Sequence, residues 1–262
     1  MGGDVFTLVQ IMEKIDFYSS IRWLSNFYSI DITNLELADR KNSVRKELDR
    51  FVQAIISRRK KEFDIFTTSS EIHKVQSYRG YIPETLEYFD VGFVKSIELE
   101  KKGGGNYTVN DRIVFPIHFK NNNIGISLRR TKTADYPKWS HQPLSIETGE
   151  ILYNYDSTGG VLSVAIVEGI PDVLAFYEIG VTAVATFGAH LTDAQYKLLL
   201  RTGADVVLAY DGDKAGRSAT DKALKLLKGK ANLSVIQFEE GQDPDNLKRE
   251  ELLKLYDSRQ KY

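Results

Sequence analysis

Apolar residues recur on two different periods along this chain, and the change of period falls near Gly92. Before it the spacing is helical. Val5, Leu8, Val9 and Met12, then Ile21, Leu24, Phe27 and Tyr28, predict two short helices broken near Asp16–Ser20. Residues 31–80 keep that character, with Val44, Leu48, Phe51, Val52 and Ile55 on one stripe. The run Arg58-Arg59-Lys60-Lys61 closes it as a solvated helix end.

After Gly92 the pattern turns to strands. Arg112–Ile117 and Ile124–Arg129 read as two of them, with a hairpin turn at Asn121-Asn122-Asn123, because asparagine tolerates left-handed backbone angles. Lys102-Gly103-Gly104-Gly105-Asn106 predicts a loop. From Val161 onward strands and helices alternate: strands at 161–167, 183–187, 205–210 and 233–238, and helices near 171–178, 193–202, 214–228 and from 245. Thr192 with Gln195 makes a capping box, and Gly203 suits the following C-cap. This alternation argues for an α/β protein with a parallel sheet covered by helices on both faces. Three segments follow: a helical stretch over 1–80, a mixed α/β segment over 81–160, and a Rossmann-like parallel-sheet domain over 161–262.

Composition narrows the chemistry. The chain has 262 residues and a net charge of −1, so it carries no overall signature for nucleic acid or membrane surfaces. It contains no cysteine, which excludes disulfides and cysteine-ligated zinc. The four histidines lack ligand spacing and read as surface or packing residues. No apolar run reaches the ~18 residues of a membrane span and no signal-peptide core is present, so a soluble, cytoplasmic protein is expected. The neutral total hides a local basic ridge. Between Arg112 and Lys138 lie Arg112, Lys120, Arg129, Arg130, Lys132 and Lys138 against a single acid, Asp135.

Three acidic clusters follow three of the expected strands: Glu168 with Asp172, Asp211 with Asp213, and Asp243 with Asp245. The carboxyl ends of parallel strands share one edge, where ligands bind. Six carboxylates gathered there repel one another unless cations lie among them. Hard oxygen ligands without His or Cys point to Mg²⁺, or Mn²⁺, rather than zinc. Ala215-Gly216-Arg217 opens a helix whose N-terminus can face a phosphate, with Lys214 beside it. Each acid also has a structural alternative: Asp172 as a first-turn helix residue, and Asp243 and Asp245 as a turn and an N-cap. Glu168 has the weakest alternative, since a glutamate ending a buried strand needs a partner.

Val167-Glu168-Gly169-Ile170-Pro171-Asp172, Thr186-Phe187-Gly188, Asp211-Gly212-Asp213-Lys214-Ala215-Gly216-Arg217 and Gly241-Gln242-Asp243-Pro244-Asp245 together resemble the Toprim domain of primases, topoisomerases, and some nucleases and repair proteins. The preceding residues Arg112–Ile117, Gly125, Arg129-Arg130, Pro137-Lys138-Trp139 and Leu152-Tyr153 resemble the subdomain before Toprim in bacterial and phage primases. Arg79-Gly80 with Glu84-Thr85 is similar to its helical start, and residues 3–30 to the helices after the family's zinc ribbon.

The resemblance implies a primase RNA polymerase core that makes short RNA primers on single-stranded DNA. Glu168, Asp211 and Asp213 would hold the metals, with Asp172, Asp243 and Asp245 supporting or sharing them. Arg112, Arg129 or Arg130, Lys138, Lys214 and Arg217 would meet nucleotide triphosphate or nucleic acid. Spacing from Gly125 favours Arg129, and spacing to Pro137-Lys138 favours Arg130. The expected partners are template, ribonucleoside triphosphates and a replicative helicase. The sequence departs from the family pattern: it has no zinc ribbon and no helicase-binding module after the last Toprim helix, and Thr148 stands where a lysine is frequent. Two expectations correspond: an excised catalytic core, or a phage-type primase whose zinc ribbon stands on a separate chain. Two other readings remain, a Toprim-type nuclease or topoisomerase-like enzyme and a non-initiating single-strand-binding replisome protein.

Overall fold

The computed structural model describes residues 72–101, 103–144 and 146–262, with the isolated positions Val9 and Met12. The helices expected before residue 72, and the Arg58–Lys61 run, lie outside the described residues; residues 72–80, expected to stay helical, form a short strand and a turn with Arg79 and Gly80 at positive φ instead. Two five-stranded sheets make up the described part.

The first sheet is antiparallel and runs β1-β2-β3-β4-β5, comprising β1 (His73–Lys74), β2 (Gly92–Glu100), β3 (Asn106–Phe119), β4 (Asn122–Arg130) and β5 (Trp139–Gln142). A short helix, α1 (Pro83–Tyr88), separates β1 from β2, with Pro83 at its first turn where no N–H is needed. Gly103, Gly104 and Gly105 all have positive φ and turn β2 into β3, as the glycine run implies. The next hairpin differs from expectation. Its turn falls on Lys120 and Asn121, at φ 53° and 58°, and Asn122 and Asn123 already belong to β4. The cause is distant in sequence: the Asp156 carboxylate accepts from the N–H groups of Lys120 (2.6 Å) and Asn121 (2.8 Å). A bulge at Ile117/His118 absorbs the shift in register.

The second sheet runs β10-β9-β8-β6-β7, comprising β6 (Ser163–Val167), β7 (Ala183–Ala185), β8 (Asp205–Leu208), β9 (Leu233–Val235) and β10 (Gln260–Lys261). All its pairings are parallel except that of β10 with β9. Helices α2 (Ile170–Glu178), α3 (Asp193–Thr202), α4 (Lys214–Leu227) and α5 (Arg249–Asp257) connect the strands. The α3 start is capped reciprocally by Thr192 and Gln195, and Gly203 ends it at φ 68°. The strands are shorter than the apolar runs, because their last residues leave the ladder and carry the acidic loops. The last helix begins at Arg249 rather than 245. Asp243 and Asn246 bond each other's backbone N–H groups in a turn there, and Lys248 occupies the N-cap position.

The two sheets share one apolar core. Phe89, Ile113, Phe115 and Tyr153 pack with Val167, Phe176, Ala185 and Phe238. Burial of this order, at roughly 25 cal/mol per Å², holds the two sheets as one body. No described helix is long and apolar enough to cross a membrane.

Candidate active site

Strand β6 lies between β7 and β8, and the chain leaves it through α2 toward β7. It leaves β8 through α4 toward β9, on the other side. The loops after β6 and β8 therefore diverge, which opens a crevice at a topological switch point. Glu168 stands in the first loop and Asp211 with Asp213 in the second. The Asp211 N–H donates to Glu168 Oε1 at 3.4 Å, tying the two loops together.

Two glycines make this approach possible. A Cβ on Gly212 would lie 1.9 Å from the Glu239 carbonyl oxygen, and one on Gly216 would lie 2.1 Å from that of Asp211. Both obstacles are backbone, so only glycine fits. The Gly212 N–H also donates to the Gln242 carbonyl (2.9 Å), bringing the third acidic loop alongside.

The acids differ in their surroundings. Asp211 is partly buried, and its Oδ1 has no hydrogen-bond partner. Burial, then the charges of Glu168, Asp243 and Asp213, push its pKa up to about 7, with Lys138 opposing. Burial first, and then Asp213 and Asp243, raises Glu168 as well. Asp243 is raised chiefly by burial. An unpartnered, partly buried carboxylate oxygen among like charges is costly and fits an incoming cation. Among the described residues, no three His, Cys, Asp or Glu side chains converge into a closed ligand set.

The remaining acids already have partners. Asp213 is exposed and caps α4, accepting from the Gly216 N–H at 2.8 Å. Asp172 is buried on α2, where its two carboxylate oxygens accept from the N–H groups of Gly169 (2.9 Å) and Asp245 (3.3 Å). Burial, reinforced by Asp211, Asp243 and Asp245, raises its pKa well above the usual range. Asp245 pairs with Arg79 and accepts from the Tyr81 hydroxyl.

The basic candidates divide likewise. Lys138 is exposed, and its charge opposes the rise in the Asp211 pKa. Arg129 lies over the Trp139 ring at 4.9 Å. Arg130 donates to the Asp135 carbonyl (2.8 Å). Arg112 is only 2% exposed, and its guanidinium donates to the carbonyls of Pro137 (2.8 Å) and Tyr136 (3.4 Å). Its position supports the 136–138 loop. Arg217 bonds the Gly212 carbonyl and pairs with Glu240, while Lys214 projects, exposed, from the first turn of α4.

Several residues beside the site carried no local signal. Tyr81 also donates to the Pro171 carbonyl (2.8 Å). Gln195, fully buried, donates to carbonyls of Thr148, Ile151 and Thr186, beyond the cap its spacing reveals. His141 packs edge-on against Phe187, and burial lowers its pKa to about 4. Apart from Thr186, nine residues before Gln195, these partners lie more than forty residues away, and no spacing rule exposes them.

Residues 165–248, which carry this parallel sheet and its acidic loops, match the Toprim-like family. Over nearly its whole length the chain is similar to bacterial DNA primases. It is 30% identical over 288 residues to the DNA primase of Borreliella burgdorferi, covering 95% of this chain and 55% of that one. With the DNA primase of Enterococcus faecalis the identity is 28% over 293 residues, covering 95% and 47%. The E. coli primase catalytic core superposes with a TM-score of 0.57 at 26% identity, over 70% of this chain and 71% of that one. The chain thus spans about half the length of the curated primases it matches.

Proposed function

We propose that this chain is the polymerising core of a DNA primase, joining ribonucleotides into short RNA primers on a single-stranded DNA template. The observation that carries the reading is the Glu168–Asp211 pair at the switch point, with Asp211 Oδ1 left without a partner, in a chain similar to DNA primases along nearly its whole length. A carboxylate cluster alone would serve a nuclease equally well. That similarity, with the charge of Lys138 acting on Asp211 where phosphates would lie between base and acid, favours nucleotidyl transfer.

In this reading Glu168, Asp211 and Asp213 would hold Mg²⁺ or Mn²⁺, with Asp243 adding charge. When bound, such ions would supply positive charge to the oxygens of an in-line displacement at phosphorus. The chain's own residues position the partners. Lys138 and Arg129 draw the triphosphate and template backbone to the edge, Arg112 fixes the loop bearing Lys138, and Lys214 adds charge at the α4 N-terminus. The segments 81–160 and 161–262 supply the basic and acidic halves of the site. A helicase and a zinc-ribbon module would deliver the template and support initiation.

The test is primer synthesis on single-stranded DNA with ribonucleotides and Mg²⁺, with and without an added zinc-ribbon module. Products that vanish in Glu168→Ala and Asp211→Ala are expected. Undiminished synthesis in both variants would remove the acidic edge from the mechanism.

A further inference from the structure

Asp245 belongs by sequence to the acidic edge, yet its surroundings differ from those of the other acids. Its side chain is 6% exposed and already neutralised by Arg79, which comes from the other half of the molecule. Arg79 and Gly80 both have positive φ, at 52° and 83°, and this bend delivers Arg79 and Tyr81 together. The Tyr81 hydroxyl reaches both Asp245 and the Pro171 carbonyl. The Tyr81 ring is stacked on Tyr78 at 6.2 Å and lies under the Arg249 guanidinium at 5.2 Å. Arg249 in turn pairs with Glu178 (2.7 Å), which also accepts from the Ile82 N–H (2.8 Å). The backbone N–H of Asp245 donates to Asp172, whose other oxygen holds the Gly169 N–H next to Glu168.

These bonds form one continuous path from the 78–82 loop to the loop bearing Glu168. Building on the metal-edge reading above, we propose that Asp245 is a strut and not a cation ligand, and that Arg79 and Tyr81 are positioning residues that hold the Glu168 loop through Asp245 and Asp172. A carboxylate committed to a guanidinium and a phenol has its charge compensated and its oxygens occupied. It adds little attraction for a divalent ion, while its backbone N–H fixes the neighbouring acid. Supporting groups of this kind set the geometry of a site without touching what binds there.

The proposal is tested on the full chain by Mn²⁺ binding, measured calorimetrically, and by amide hydrogen exchange. Asp211→Asn is expected to weaken Mn²⁺ binding by at least about tenfold, whereas Asp245→Asn, which removes no ligand, weakens it less and by no more than Arg79→Gln does, since both act by loosening the same loop. In Arg79→Gln and Tyr81→Phe, the Gly169 and Asp245 amides are expected to exchange at least about tenfold faster, through local opening of the loop they hold. Asp245→Asn weakening Mn²⁺ binding as much as Asp211→Asn would overturn the strut. So would unchanged exchange at Gly169 and Asp245 in both positioning variants. If instead Asp211→Asn binds Mn²⁺ like the parent, the metal-edge reading fails on its own, and the exchange data still decide the strut.

Discussion

Gly212→Ala isolates the contact that brings the acidic loops together. The added methyl would sit 1.9 Å from the Glu239 carbonyl oxygen, 2.8 Å from its carbonyl carbon and 2.9 Å from the Phe238 oxygen. No rotamer relieves it, because all three atoms are backbone. The loops have to part by more than about 1 Å before the contact becomes ordinary. Overpacking of this kind costs about 1–3 kcal/mol of stability. The effect on catalysis should be larger, since a ~1 Å misplacement of reacting groups costs about 100-fold. Gly159→Ala is the control: its φ is −67° and nothing lies within 4 Å of the added Cβ, so a neutral or slightly stabilising change is expected. Urea midpoints and ribonucleotide incorporation rates would be measured for both. A Gly212→Ala protein matching its parent in midpoint and rate would refute the claim that this close approach builds the site.

Other predictions concern charge and packing. Asp211 has a folded-state pKa raised to about 7 from an ordinary 3.8, so the fold takes up a proton between those values. Its contribution favours the cation-free fold at low pH and is lost as pH rises through about 7. Urea midpoints at pH 5.5 and 8 should therefore lie closer together in Asp211→Asn than in the parent, and an identical difference would contradict this. Lys138→Ala should raise the Asp211 pKa further in the cation-free protein, widening the gap between the urea midpoints at pH 5.5 and 8. It should also make template binding less sensitive to salt, and an unchanged gap would place Lys138 away from the edge. Gln195→Leu should cost about 2–4 kcal/mol, because it removes the amide that bonds the carbonyls of the buried residues Ile151 and Thr186. Thermal denaturation of that variant would read the loss.

Much of this was legible in the sequence, and the reasons are local. Short β-branched runs followed by acids, with Thr192-x-x-Gln195 and Gly203 around one helix, specify the parallel half because each signal acts within a few residues. The exceptions are set by distant partners. The β3–β4 turn is fixed by Asp156, 36 residues from Lys120. Arg112 looks like part of a basic surface, yet the carbonyls of the 136–137 loop draw it inside. Asp245 looks like its acidic neighbours, but Arg79, 166 residues earlier, neutralises it. The α5 start moved to Arg249 because the Asp243–Asn246 turn satisfies the backbone before a helix can begin. Side-chain identity marked where acids and bases gather; which of them already have partners depends on the folded chain.

The most direct test of the account is extension of an RNA primer already annealed to single-stranded DNA, with Mg²⁺ and ribonucleotides. It bypasses initiation and reads only nucleotidyl transfer at the acidic edge. Template-directed extension by the parent chain is expected, reduced by about 100-fold or more in Asp211→Asn. Binding of the primed template without extension, or extension that survives in Asp211→Asn, would contradict the account.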